Sequence, residues 1–138
     1  MRAYLIDPEK RSVRPIELPD KGMLDAMRAI IGPPSGGMDH VIISDEHDSI
    51  WVDEFGLKRG EPIHAFKLPT SPTPFAGRAI IIGADRDTGF DRPPFIPIEM
   101  LIATVDWLGI IVPAVEWIDE ANGVRAVVTY SRLRKEST

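Results

Sequence analysis

Cysteine is missing from the sequence. That one absence excludes disulfides, thiolate nucleophiles and thiolate-bound zinc together. Long apolar runs are missing too, since stretches such as residues 79–82 and 109–112 fall far short of the roughly 20 residues a membrane-spanning helix needs. No membrane helix is expected. The apolar run of residues 3–6 is too short for the core of a secretory leader, and no small-residue cleavage site follows it. A cytoplasmic location is expected. An excess of positive charge is also lacking, with 16 Lys and Arg against 21 Asp and Glu and a net charge of −5. This argues against a sequence-independent grip on nucleic acid, which needs basic side chains facing many phosphates. The established catalytic signatures are lacking as well: there is no His-Glu-x-x-His pair and no Gly-x-Ser-x-Gly elbow. The loop Gly32-Pro33-Pro34-Ser35-Gly36-Gly37 lacks the Lys-Ser/Thr ending of a phosphate loop.

What is present is the composition of an ordinary folded domain, 43% hydrophobic and 27% charged over 138 residues. A single globular domain over residues 1–133 is expected, with a frayed tail at 134–138. Residues 2–7 and 12–18 read as a hairpin around Asp7-Pro8-Glu9-Lys10, where proline presets a turn. Asp20 then reads as an N-cap for a helix with Leu24, Met27 and Ile31 on one face and Gly32 as its stop. Residues 41–44 and 49–52 read as strands around the polar tip Asp45-Glu46-His47-Asp48. Residues 63–68 read as a further short strand, and residues 78–82, β-branched without alternation, as a central strand buried on both faces. Pro97 opens a second helix, whose face would run through Ile98, Leu101, Ile102, Val105 and Leu108 to a stop at Gly109. Residues 112–118 and 124–133 close the chain as a hairpin on Asn122-Gly123. The expected class is α+β: a mostly antiparallel sheet of six to eight strands with two main helices packed on it.

The segment Asp53-Glu54-Phe55-Gly56-Leu57-Lys58-Arg59-Gly60-Glu61-Pro62, followed by Ala76-Gly77-Arg78-Ala79-Ile80-Ile81-Ile82-Gly83, resembles a family of small uncharacterised proteins carried by phages, plasmids and their bacterial hosts. An acidic, glycine-containing turn and a Gly-x-apolar-Gly strand recur there in this order. The resemblance spans about the first hundred residues, with Ile63 and His64 where an asparagine often follows the turn proline. It implies a mobile-element or accessory setting and no particular chemistry.

Two groups of residues carry candidate function. His40, Asp45, His47 and Asp48 are nitrogen and oxygen donors that zinc or a similar cation accepts, which would suit a metal-dependent hydrolase with a metal-bound water. The same residues also suit a solvated turn, the reading we adopt, so no cofactor is expected. The second group is Asp45, Glu46, Asp48, Trp51, Asp53, Glu54 and Phe55, where five carboxylates and no Lys or Arg stand beside two large aromatics. Such a surplus suggests a surface for a basic protein partner, and hence a non-enzymatic accessory or binding protein. A further reading is an oligomer-forming subunit in which an edge strand of the C-terminal hairpin pairs with its symmetry mate. Asp85, Asp87 and Asp91 have calcium-like spacing, but Arg86 and Arg92 would oppose a cation there and the terminal glutamate of a calcium loop is missing.

Overall fold

A computed structural model describes residues 1–34 and 36–133, so the expected tail at 134–138 lies outside the described residues. The turn at Asp7 forms as its chemistry requires. The Asp7 carboxylate accepts the amides of Glu9 and Lys10 at 3.1 and 3.3 Å and folds β1 (Arg2–Asp7) onto β2 (Ser12–Glu17). Helix α1 (Met23–Ile31) follows, with Gly22 rather than Asp20 at its N-cap. Asp20 sits two residues too early and lies instead 3.9 Å from the N-terminal ammonium. Then come β3 (Met38–Ile42), β4 (Asp48–Asp53), β5 (Ile63–Lys67), β6 (Phe75–Ala76), β7 (Ala79–Ala84) and β8 (Asp91–Arg92). Helix α2 (Ile98–Thr104) and the long strands β9 (Asp106–Glu120) and β10 (Gly123–Arg132) complete the chain.

The class is α+β, and every strand pairing is antiparallel. The ten strands of the described residues do not form one sheet, however. One sheet runs β2-β1-β7-β4-β3 with β8 on β7, and the other runs β10-β9-β5-β6. Strand β7 occupies the middle of the first sheet, and Ala79 to Gly83 are buried on both faces, as its unbroken apolar run requires.

The pleat divides that sheet into two cores. Tyr4, Ile6, Ile50 and Ile81 face one way and meet Phe66 and Phe75 of the second sheet and Leu101 of α2. Ala3, Leu5, Ile80 and Ile82 face the other way, under Met27 and Ile31 of α1. The two helices thus lie on opposite sides of one sheet.

Helix α2 is shorter than its apolar spacing implies. It stops at Thr104 and the chain is extended from Val105 onward, so Leu101 is buried on the helix while Leu108 is buried from a strand and Ile102 is exposed. Gly109 is the stop of no helix. Its φ of +70° sits inside β9, where the pairing with β5 shifts register between Ala65 and Phe66. That is a β-bulge with glycine at its left-handed position. Trp107, just before it, lies edge-on to Phe66 with ring centroids 6.2 Å apart.

Candidate functional site

The β3–β4 hairpin forms one edge of the first sheet. Strand β3 begins three residues earlier than its apolar pattern suggests and is exposed from Asp39 to Ile42. Val41 and Ile42 point to opposite faces and are 47% and 62% exposed, so neither face of this edge is covered. Beside it, a cleft of about 300 Å³ runs between Asp39, Val41 and Val52 on one wall and Phe75 and Val128 on the other.

The hairpin tip is tightly tied. Ser44 accepts the His47 amide on its carbonyl and the Asp48 amide on its hydroxyl, both at 3.1 Å. His47 takes a φ of +67° to close the turn, and its carbonyl accepts the amide of Ala84. Asp45 and Glu46 project into solvent from the middle of this turn.

Asp48 does something else entirely. It is fully buried, and its two carboxylate oxygens accept the amides of Phe95 and Ile96 at 2.8 and 2.9 Å. The segment that leads into α2 is thereby fastened to β4. Gly83, paired with Asp48, permits the approach: a Cβ there would lie 2.7 Å from the Pro93 carbonyl oxygen and 3.2 Å from Asp48 Oδ1.

The four donors of the metal reading are not brought together. His40 pairs with Trp51 across the hairpin and stacks on it, with centroids 4.4 Å apart. Asp48 shares the opposite face with Ile50, and its oxygens are occupied by backbone amides. Among the described residues no three His, Asp or Glu side chains gather as a metal site. The Asp85 loop is likewise a turn, in which the Asp85 carboxylate accepts the amides of Asp87 and Thr88. Those bonds, Thr88's first, hold its carboxyl below the usual range.

The surplus of negative charge is smaller than composition implies. Asp53 receives both terminal nitrogens of Arg59 and also accepts the Phe55 amide at 3.1 Å. The hydrogen bonding that Arg59 donates to Asp53 is the first cause raising the affinity of Arg59 for its proton. With Asp48 and Asp53 satisfied internally, Asp45, Glu46 and Glu54 remain free of either role, and the exposed Asp39 on β3 adds a fourth charge while accepting the His40 amide at 2.9 Å. Phe55 is 38% exposed, with Lys58 Nζ 5.8 Å from its ring centre. Trp51 is half-buried under His40.

Composition missed Arg59, which stands just outside the acidic window, and Asp39 and Val41, which only the earlier start of β3 places on the edge. The Asp53-x-x-x-x-x-Arg59 spacing across a glycine-containing turn was the one local signal for the ion pair.

No helix among the described residues is long and apolar enough to cross a membrane. No curated protein and no solved structure matches the chain. The model of the domain of unknown function DUF3846 matches residues 1–97, which include the whole first sheet, α1 and the candidate edge and leave α2 and the β9–β10 ribbon outside. The chain therefore belongs to the DUF3846 family.

Proposed function

We propose that this is a non-enzymatic binding protein, an accessory of a phage or mobile element acting in the cytoplasm, that meets a protein partner along the β3–β4 edge. The observation that carries the reading is the state of β3: an edge strand that no other described strand covers, with exposed apolar residues on both faces and only its His40 amide taken up, by the Asp39 carboxylate at 2.9 Å. An open edge presents unpaired amides and carbonyls to which an extended segment can add as a further strand. Asp39, Asp45, Glu46 and Glu54 around it favour a basic segment, adding to the encounter rate, while Val41, Ile42 and the half-buried Trp51 supply apolar contact.

The test is capture from host lysate with the wild-type protein and with a variant carrying Asp45→Asn, Glu46→Gln and Glu54→Gln. Normal folding with weaker and less salt-sensitive capture is expected. Recovery of the same proteins with the same salt dependence would sink the reading. Asp48 is left out because its loss would disturb folding, which would confuse the result.

A second reading, self-association, is favoured by the outer half of the β9–β10 ribbon. Trp117 pairs with Ala126 and Asp119 with Val124, and Trp117 and Val124 are 63% and 62% exposed. Mass by light scattering separates the two readings: an oligomer that Trp117→Ser dissociates supports self-association, and a monomer at all concentrations removes it.

A further inference from the structure

Away from the β3 edge, the β1–β2 turn faces the bulge of β9 across a cavity of about 540 Å³. Arg11 reaches in from the turn, Arg132 from β10 and His64 from β5, while Glu9 contributes the one carboxylate among the described lining residues. Leu108, Ile110 and Leu133 make up the apolar wall. This volume lies within the range of small-molecule sites, and their usual chemistry is the same: an apolar wall with a few convergent polar groups.

We propose that this cavity binds a small anion, a phosphate or a carboxylate, that carries an apolar group. Three observations support it independently. The guanidinium of Arg132 is anchored, because its Nε donates to the Leu108 carbonyl at 2.9 Å and so fixes the planar fork beside the cavity. Such forks match phosphate and carboxylate oxygens two at a time. Arg11 adopts a φ of +50°, a conformation that L side chains rarely take and that costs free energy. Glycine or asparagine would hold this geometry at less cost, but neither would place a guanidinium at the cavity. Gly109 lies at the bulge between the two arginines, where a Cβ would come 3.8 Å from Arg11 Nη2. The bulge re-aims the strand at the point where the cavity opens, a common position for bulges beside sites. Among the described residues, the two arginines against the single charge of Glu9 leave the lining net positive, in a chain whose overall charge is −5.

The test is NMR titration of the whole chain with phenyl phosphate, benzoate and inorganic phosphate, following the Gly109 amide and the His64 ring. Saturable shifts with phenyl phosphate or benzoate are expected, at least tenfold tighter than with inorganic phosphate because of the apolar wall. Whichever of the two organic anions binds better identifies the head group. Arg11→Gly should fold at least as stably as the wild type, since glycine suits the turn, yet bind at least tenfold more weakly. Arg132→Lys, which keeps the charge but loses the fork, should also weaken binding. The proposal is overturned if neither organic anion saturates below roughly 10 mM. It is equally overturned if Arg11→Gly binds as well as the wild type.

Discussion

Asp48 and Ile96 stand 48 residues apart in the chain, and a buried carboxylate oxygen of the first holds the amide of the second at 2.9 Å. The other oxygen holds Phe95 in the same way. One buried side chain thus satisfies two partly buried amides and sets the path of the chain into α2. Asp48→Asn keeps the shape but replaces one acceptor with a donor, leaving an amide facing an NH2 group. A loss of about 1–3 kcal/mol in denaturant unfolding is expected, the cost of orphaning a buried polar group. Gly83→Ala should cost a similar amount, because its Cβ meets the Pro93 carbonyl at 2.7 Å. A wild-type midpoint in either variant would show that this fastening contributes nothing.

Ile96 is held from a second side, since the Tyr4 hydroxyl donates to its carbonyl at 2.8 Å. Burial, aided by the charges of Asp48 and Glu99 and opposed by Arg2, raises the Tyr4 pKa above its ordinary 10.0. The folded state therefore keeps this proton longer than the unfolded chain does. Its contribution is fully present below the unfolded pKa and is lost as pH rises through the folded one. Tyr4→Phe should cost about 1 kcal/mol at neutral pH through the lost hydrogen bond. The gap between variant and wild type should then narrow as the pH climbs past 10.0. A gap that stays constant across that range would contradict the linkage.

Helix α2 offers a sharp contrast between adjacent residues. Leu101 is 1% exposed inside the core shared by both sheets, whereas Ile102 is 54% exposed. Leu101→Ala should cost about 2–5 kcal/mol in denaturant unfolding. Ile102→Ala should stay within about 0.5 kcal/mol of the wild type, as exposed substitutions do. Equal losses at the two positions would mean that the helix continues past Thr104 with a wider buried face.

How far the sequence disclosed this structure depended on the range of the interaction. Turn chemistry at Asp7-Pro8 and around Asn122-Gly123 is local, so both hairpins were legible, although the second turns on Ala121 and Asn122 with Gly123 already paired to Glu120, and the unbroken apolar run at β7 marked the central strand. The split into two sheets rests on β5 pairing with β9, 39 to 48 residues away, and nothing near either strand announces it. The same holds for the candidate edge. Asp45 and Glu46 were legible as an exposed tip, but Asp48 looked like its neighbours because its partners, Phe95 and Ile96, are distant in sequence. Apolar spacing from Ile98 to Leu108 fits a helix, and it also fits a short helix followed by a strand that buries Leu108 from another direction.

Gly109 shows why that second ambiguity arose and supplies its test. A helix stop and a β-bulge both want a residue with positive φ, so glycine signals either one. Here φ is +70° within β9, and among the described residues no atom other than the Arg11 guanidinium lies near a would-be Cβ, so any substitution penalty comes from the backbone rather than from crowding. Gly109→Ala should then cost roughly 1–2 kcal/mol, the strain of an L side chain in the left-handed region. Gly109→Asn should cost less, because asparagine tolerates that region better than alanine. The damage should also be local to the second sheet. Amide exchange at Ala65, Phe66 and Trp107, which flank the register shift, should speed up more in the alanine variant than exchange at Ile80 or Ile81 in the first sheet. If Gly109 instead closed a helix reaching back to Ile98, the faster exchange would appear from Leu101 to Leu108, with the β5 amides unchanged. That pattern would remove the bulge from the account of β9.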